Sequence, residues 1–226
     1  HLYMVSKSKT KLKIAVVAGL ARELKFLEKF KDIRIFQGYS KKALIAARTA
    51  LSEKPDVIIS FGLAGSINPM VQNGKIIIPQ NIIDKSGNKK KVSKKYSDFF
   101  NKRISGKVFR QNLITVDKIE FNLNNKKYLR KNISFIDMES SYIQLEAIKK
   151  KIPFIAMRVI FDDLDFSIPD FLKTCINADG NLNIFKLFIN ITLKPKRILK
   201  LIKLSKKYNK ASIVLNKISN EAFKNF

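Results

Sequence analysis

The sequence predicts an α/β protein: a three-layer α/β/α sandwich around a twisted, mainly parallel (mixed) central sheet, with additional helices at the carboxyl end. Three observations carry this. Short apolar, β-branched runs alternate with segments of helical spacing from Lys13 to about Asp165, which implies a parallel sheet covered by helices on both faces. Ile133–Ile136 and Pro153–Met157 are strand-like and bracket one helical stretch, Tyr142–Lys151, with charged residues at both strand ends. After Pro169 the pattern turns wholly helical.

Taken in order, Lys13–Leu20 is apolar and β-branched, as expected of a buried parallel strand. Ala21–Phe30 places Leu24, Leu27 and Phe30 at helical spacing. Ile33–Phe36 reads as strand and Lys41–Ser52 as an Ala-rich helix. Asp56–Phe61 is a strand that opens into the turn Gly62-Leu63-Ala64-Gly65-Ser66, and Lys75–Pro79 is another strand. Lys85–Lys131 is Lys-rich and poorly patterned. Within it Lys107–Val116 reads as strand and Asn124–Arg130 as a short helix. In the tail, Asn183–Thr192, Lys196–Tyr208 and Ala211–Phe223 read as three helices. The expected organisation is an N-terminal extension over residues 1–12 and a single domain over 13–226, of which 181–226 is a basic helical tail. His1-Leu2-Tyr3 reads as upstream sequence, with Met4 as the start.

The 226 residues suffice for one domain with a full core. The formal charge of +27, from 45 Lys+Arg against 18 Asp+Glu, has two readings. One is a coding bias toward Lys. The other is an anionic partner, either nucleic acid or an acidic membrane surface. Scattered Lys, no Trp, no zinc-finger spacing and no RNP-like signature weigh against nucleic acid. Cys175 is the only cysteine and His1 the only histidine, which removes disulfide frameworks, CxxC sites and His-based catalysis. No apolar run reaches the ~18–20 residues of a membrane span. Lys7–Lys13 followed by Ile14–Ala18 superficially resembles a signal peptide, but the run is short and enters Arg22 and Glu23, so a buried strand and a cytoplasmic location are expected.

Four groups can carry chemistry. Glu23 follows the first strand at a helix start, where the dipole favours its charged form and it can accept a proton from water. The alternative is a solvated first-turn Glu. Gly62, Ala64 and Gly65 allow a tight turn and close backbone approach to a ligand; no Lys-Ser/Thr follows, so this is no P-loop. Glu139, after Met138, can accept two hydrogen bonds from a sugar diol, or be a mere helix-start charge. Arg158 stands before Asp162, Asp163 and Asp165. These acids lack the EF-hand pattern; one of them can instead serve as a protonated acid, against the alternative of an exposed acidic turn.

The order and spacing of KIAVVAGLARELKFL, PDVIISFGLAG, FIDMES and IPFIAMRVIFDD resemble the purine nucleoside phosphorylase and nucleosidase superfamily from about Lys13 to Asp165. In its methylthioadenosine/S-adenosylhomocysteine nucleosidases the equivalent stretches carry a Glu near the first strand, a Met-Glu pair that holds the ribose, and an Arg-x-x-x-Asp whose Asp protonates the purine. These fall on Glu23, Met138, Glu139, Arg158 and Asp162. The GLARE opening, the SFGLAG loop, DMES and the tail ADGNLNIFKLFINITLKPKRILKLIKL look like the narrower hopanoid-associated phosphorylase-like proteins, the adenosylhopane nucleosidases. The stretch Phe36–Asp56 is shorter than in the methylthioadenosine enzymes. Leu63 stands where those enzymes have a Ser near the attacking water. The loop around Asp117 and Ile119, expected near the purine, lacks their stacking aromatic residue.

The resemblance implies cleavage of the N-glycosidic bond of an adenine nucleoside. Asp162 would protonate adenine N7, and Glu139 with the Met138 backbone would hold the ribose 2′ and 3′ hydroxyls. Glu23 and Arg158 would position the nucleophile. If that is water, Glu23 is its base; if phosphate, Arg158 and Arg22 are its partners. No metal or organic cofactor is implied. The implied partners are a small or lipid-linked adenine nucleoside, an anionic membrane in peripheral contact, and a second copy in a homodimer. From Leu193 onward, Lys interleaved with Ile198, Leu199, Leu201, Ile202 and Leu204 resembles an interfacial helix. The alternative is helices packed on the domain with solvated lysines.

Overall fold

A computed structural model describes residues 11–117, 132–162, 170–175, 177, 183–194 and 196–224. The expected helix Asn124–Arg130, most of the N-terminal extension, Ile119, Asp163 and Asp165 lie outside the described residues.

The described strands form one ten-stranded sheet, with β3 at its centre. The chain runs β1 (Ile14–Ala18), α1 (Ala21–Leu24), β2 (Ile33–Gln37), a 3₁₀ turn (Ser40–Lys42), α2 (Ala43–Ser52) and β3 (Val57–Ser66). Then come β4 (Ile76–Ile77), β5 (Asn81–Ile83), β6 (Lys89–Lys91), α3 (Lys94–Arg103), β7 (Val108–Phe109) and β8 (Asn112–Thr115). After the undescribed segment follow β9 (Ile133–Asp137), α4 (Ser140–Lys149), β10 (Phe154–Asp162), α5 (Asp170–Lys173), α6 (Ile184–Leu193) and α7 (Arg197–Phe223). Pairings β1–β2, β1–β3, β3–β10, β4–β7, β5–β8 and β8–β9 are parallel; β4–β10, β3–β9 and β5–β6 are antiparallel. The sheet is therefore mixed and mainly parallel, as the alternation of elements predicts.

Period-two alternation sorts the side chains into two cores. Ile14 and Val16 of β1, Val57, Ile59 and Phe61 of β3, and Ile155, Met157 and Val159 of β10 face one side. There they pack under Leu27, Tyr96 and Phe100 of the α1 and α3 segments and under Ala211, Leu215, Ile218, Ala222 and Phe223 of α7. Ala15, Val17, Ile58, Phe154, Ala156 and Ile160 face the other side, under Ala43, Ala46, Ala47 and Ala50 of α2 and Ile143 and Ala147 of α4. The alanines let α2 lie close to the strands.

The structure corrects several expectations. The first helix is one turn, Ala21–Leu24, because only Leu27 of the apolar series reaches the core fully. Gly62–Ser66 is not a turn: β3 continues through it to Ser66, because β10 pairs with it as far as Gly65. Lys107–Val116 splits into β7 and β8, which join different strands. Lys196–Tyr208 and Ala211–Phe223 are one continuous helix, α7. Finally, β9 is antiparallel to β3, so its charged end runs back toward the middle of β3 instead of rising beside it. Strand β5, and strand β6 and helix α3 in the poorly patterned Lys-rich region, have no counterpart in the expected elements.

Candidate active site

β3 keeps β10 on one edge along most of its length and changes partner on the other. Val57–Phe61 pair with β1, and Gly65 and Ser66 pair with β9. Gly62, Leu63 and Ala64 fall between. The backbone groups of Leu63 are met there by side chains. Its N–H donates to Glu23 Oε1 at 2.8 Å, and its carbonyl accepts from Arg158 Nη1 at 3.2 Å. This handover is a switch point, the kind of crevice where ligands of α/β sheets bind.

Glu23 reaches it from the turn after β1. Its other carboxylate oxygen accepts from the Leu20 N–H at 2.9 Å. It is only 3% exposed, so it is not a solvated first-turn residue. Burial raises its pKa above the ordinary carboxylate value, against the lowering by the Arg158 charge and by backbone N–H donors. Burial outweighs the helix dipole expected for this position, which one turn of helix can supply only weakly. Gly62 has φ +147°, and a Cβ there would lie 2.4 Å from Glu23 Oε1. The glycine is required by both its conformation and the carboxylate beside it.

Glu139 arrives from β9 at the residue before α4. It is 6% exposed, accepts from the Ser40 N–H at 3.1 Å, and lies 3.4 Å from Arg158 Nη2. A Cβ on Gly19 would meet its carboxyl at 3.1 Å. An exposed helix-start charge is thereby excluded. Its pKa is raised, chiefly by burial and further by the Asp137 and Glu23 charges, with Arg158 opposing.

Arg158 is the buried cation that joins them. By strand parity it lies on the α2/α4 side with Ala156 and Ile160. Its Nη2 contacts Asp137 at 3.0 Å and donates to Ser60 Oγ at 2.5 Å. Asp137 is fixed in turn by Thr115 Oγ1 at 2.7 Å and by the Ser140 N–H. One guanidinium thus faces three buried carboxylates. It cannot neutralise all three, so burial prevails over its charge and the pKa values of both glutamates lie above the ordinary carboxylate value. Arg158 Nε is buried with no hydrogen-bond partner among the described residues.

Asp162 sits further along β10, in register with Gly65 and about 3.9 Å from a Cβ placed there. Gly65 pairs on its opposite edge with Ile136, three residues before Glu139. Two strand spacings put the Asp162 and Ile136 backbones roughly 10 Å apart. A β-bulge between Ile160 and Asp162 re-aims the aspartate. It is half-buried, on a strand, and not in an exposed turn.

The structure thus brings Glu23, Glu139 and Arg158 into one cluster, with Gly62 against it and Ala64 and Gly65 beside it. Met138 is adjacent and half-buried. Arg22 does not join. It is exposed, its guanidinium 5.8 Å from the ring of Tyr208. Asp117 is held at about 2 by the Tyr142 hydroxyl and by Lys85 and Lys41. Sequence reasoning gave no role to Asp137, Ser60 or Tyr39. Asp137 lies inside the pentapeptide already singled out, but Ser60 and Tyr39 carry no signal in sequence. The Tyr39 hydroxyl donates to Met138 Sδ at 3.7 Å, and burial and the Glu139 charge raise its pKa.

The pattern of the phosphorylase superfamily matches residues 33–184, about two-thirds of the chain. The chain belongs to that superfamily of enzymes. No curated protein sequence matches it. Among solved structures it is similar to the 5′-methylthioadenosine/S-adenosylhomocysteine nucleosidase of Neisseria meningitidis in complex with methylthio-immucillin-A. That match has TM-score 0.69 at 12% identity and covers 95% of this chain and 99% of that one. The corresponding nucleosidase of Colwellia psychrerythraea in complex with adenine gives TM-score 0.67 at 12% identity, over 94% and 96%. Futalosine hydrolase of Helicobacter pylori gives 0.64 at 14% identity, over 93% and 98%. At such identities these likenesses concern the fold.

Proposed function

We propose that the protein hydrolyses the N-glycosidic bond of an adenine nucleoside at the β3 handover. The observation that carries this is the buried Glu23–Arg158–Glu139 cluster at a switch point of a phosphorylase-superfamily sheet. Glu23, with its raised pKa, is the base for water. Glu139 and the Met138 backbone accept the ribose hydroxyls, and Asp162 is the acid. Water oxygen bonds to C1′ as the C1′–N9 bond breaks. The bonding pair leaves with the purine, the Asp162 proton goes to N7, and a water proton goes to Glu23. Acid catalysis of this kind is typically worth about 10²–10⁴-fold.

Phosphate is disfavoured as the attacking group. The cluster holds three carboxylates to one guanidinium, and that guanidinium is already engaged by Asp137, Ser60 and the Leu63 carbonyl. A phosphate dianion would be repelled, whereas a neutral water fits beside Glu23. The adenosyl head of an adenosylhopane is the substrate that the GLARE, DMES and tail resemblance favours. Methylthioadenosine or S-adenosylhomocysteine is the second reading, supported by the relatives' fold.

Adenine release, followed chromatographically from methylthioadenosine and from an adenosylhopane with and without phosphate, tests this. Ribose-type product formed without phosphate is expected. Strict dependence on phosphate with a sugar 1-phosphate product overturns hydrolysis, and no adenine from either substrate overturns the assignment.

A further inference from the structure

We propose that the α6–α7 tail docks the protein on the surface of an anionic lipid bilayer. Helix α7 is divided. Its second half supplies Ala211, Leu215, Ile218, Ala222 and Phe223 to the core, whereas no described residue from Lys196 to Lys210 is buried. From Lys207 on the helix rests on the domain, where the Lys207 carbonyl accepts from Asn73 Nδ2 at 3.1 Å and the Tyr208 ring lies 6.0 Å from that of Phe161, so the open part of α7 is its beginning, Arg197–Lys206.

This open part, together with α6, carries apolar surface that the fold leaves uncovered. On α6, Phe185, Ile189 and Leu193 recur every four residues and form one stripe, with Phe185 74% and Leu193 73% exposed. On α7, Ile198 and Ile202 are exposed on one face, with Leu199 beside them at 71%. Arg197 ties the two helices together. Its Nη1 donates to the Asn190 carbonyl at 2.9 Å and to Asn190 Oδ1 at 2.6 Å, and its guanidinium stacks 4.7 Å from the Phe171 ring. The stripes thus sit on linked helices and not on loose ends.

Charge identifies the occupant. From Asn183 to Lys210 there is no acidic residue, and Lys194, Lys196, Lys200 and Lys206 stand exposed around the apolar side chains. An apolar edge flanked by lysines matches an interface of lipid headgroups above acyl chains. A second copy would bring two lysine-rich faces together. Nucleic acid would leave Phe185, Leu193 and Leu199 in water and finds only one arginine, already engaged by Asn190 and Phe171. Among the described residues no helix is long and apolar enough to cross a membrane, so the contact is peripheral.

The test is co-sedimentation of the full chain with phosphatidylglycerol-containing and pure phosphatidylcholine vesicles. Three proteins are compared: wild type, Lys200→Glu/Lys206→Glu and Phe185→Ser/Leu199→Ser. All substituted residues are exposed and remote from the β3 cluster, so thermal stability and turnover of soluble methylthioadenosine are expected to stay unchanged. Expected is binding to anionic vesicles only, weakened by salt. The lysine pair should cost at least about 25-fold, at roughly five-fold per lysine. The apolar pair should cost at least about ten-fold. No binding to anionic vesicles at low salt, equal binding to both vesicle types, or indifference to either variant pair overturns the proposal. So does duplex DNA bound equally by wild type and the apolar variant while it displaces all vesicles.

Discussion

Gly62→Ala tests whether the β3 handover is built around Glu23. A Cβ at this position would lie 2.4 Å from Glu23 Oε1, 2.6 Å from Cδ and 2.7 Å from Oε2. A carboxylate is usually the movable end of a flexible side chain, but this one is pinned. To restore an ordinary contact of 3.4 Å, Oε1 must retreat by about 1 Å, which stretches the 2.8 Å bond from Leu63 N–H to about 3.8 Å, beyond hydrogen-bond range. Loss of a charge-assisted bond in a buried setting costs about 1.5–3 kcal/mol. The φ of +147° adds about 1–3 kcal/mol for a residue with a Cβ. The smaller unfolded-state entropy of Ala returns about 0.4–1 kcal/mol. The net expectation is a loss of about 1.5–5.5 kcal/mol, at or below the low end of the 5–15 kcal/mol of a typical domain, so a folded variant is expected. Displacing the base by about 1 Å should cost about 10²-fold in kcat/KM. Urea unfolding and adenine release measure the two. A Gly62→Ala protein within about 0.5 kcal/mol of wild type and fully active would show that Glu23 is not fixed as described. A Gly62→Ala/Glu23→Ala double variant that loses no less stability than the two singles combined would refute the clash itself, because removing the carboxylate should relieve it.

Further expectations follow from the same cluster. Arg158→Met leaves three buried carboxylates without their cation and should cost about 3–5 kcal/mol in urea unfolding; a loss below about 1 kcal/mol would mean the ion pairs are incidental. Glu23 and Glu139 have folded pKa values raised above the ordinary 4.5. The folded state therefore holds protons that the unfolded chain has released, so their contribution to stability grows as pH falls from neutrality toward 4.5 and shrinks as pH rises. Subtracting the unfolding profile of Glu139→Gln isolates that slope from the general repulsion of a +27 chain, and a difference profile that is flat or rises with pH contradicts the assignment. Asp162→Asn should keep the fold and lose about 10²–10⁴-fold in kcat; undiminished turnover removes it from the acid role. Tyr39→Phe deletes a hydroxyl whose acceptor is a weak thioether, so stability should change by less than about 0.5 kcal/mol. KM should rise while kcat holds; an unchanged KM would mean that Tyr39 does not face the substrate.

The local pattern of the chain was enough to place β1, β3, β10 and the helices α2 and α4, because buried strands and Ala-rich helices write their periodicity directly into sequence. It also singled out Glu23, Glu139, Arg158 and Asp162, since charges at the ends of apolar runs stand out wherever the chain later goes. What it could not carry was long-range pairing. That β3 continues through Gly62–Ser66 depends on β10 lying alongside, and that β9 runs antiparallel to β3 depends on register between segments some 70 residues apart. The fusion of two apparent tail helices into α7 depends on a helical course through Asn209 and Lys210, which have no apolar signal of their own. Ser60, Ser40 and Tyr39 entered the site for the same reason: they are ordinary residues until the fold brings Arg158, Glu139 and Met138 to them. Burial, a property of the packed chain, then set three carboxylates around one guanidinium, where the residue pattern alone left each charge open between a site role and a solvated one.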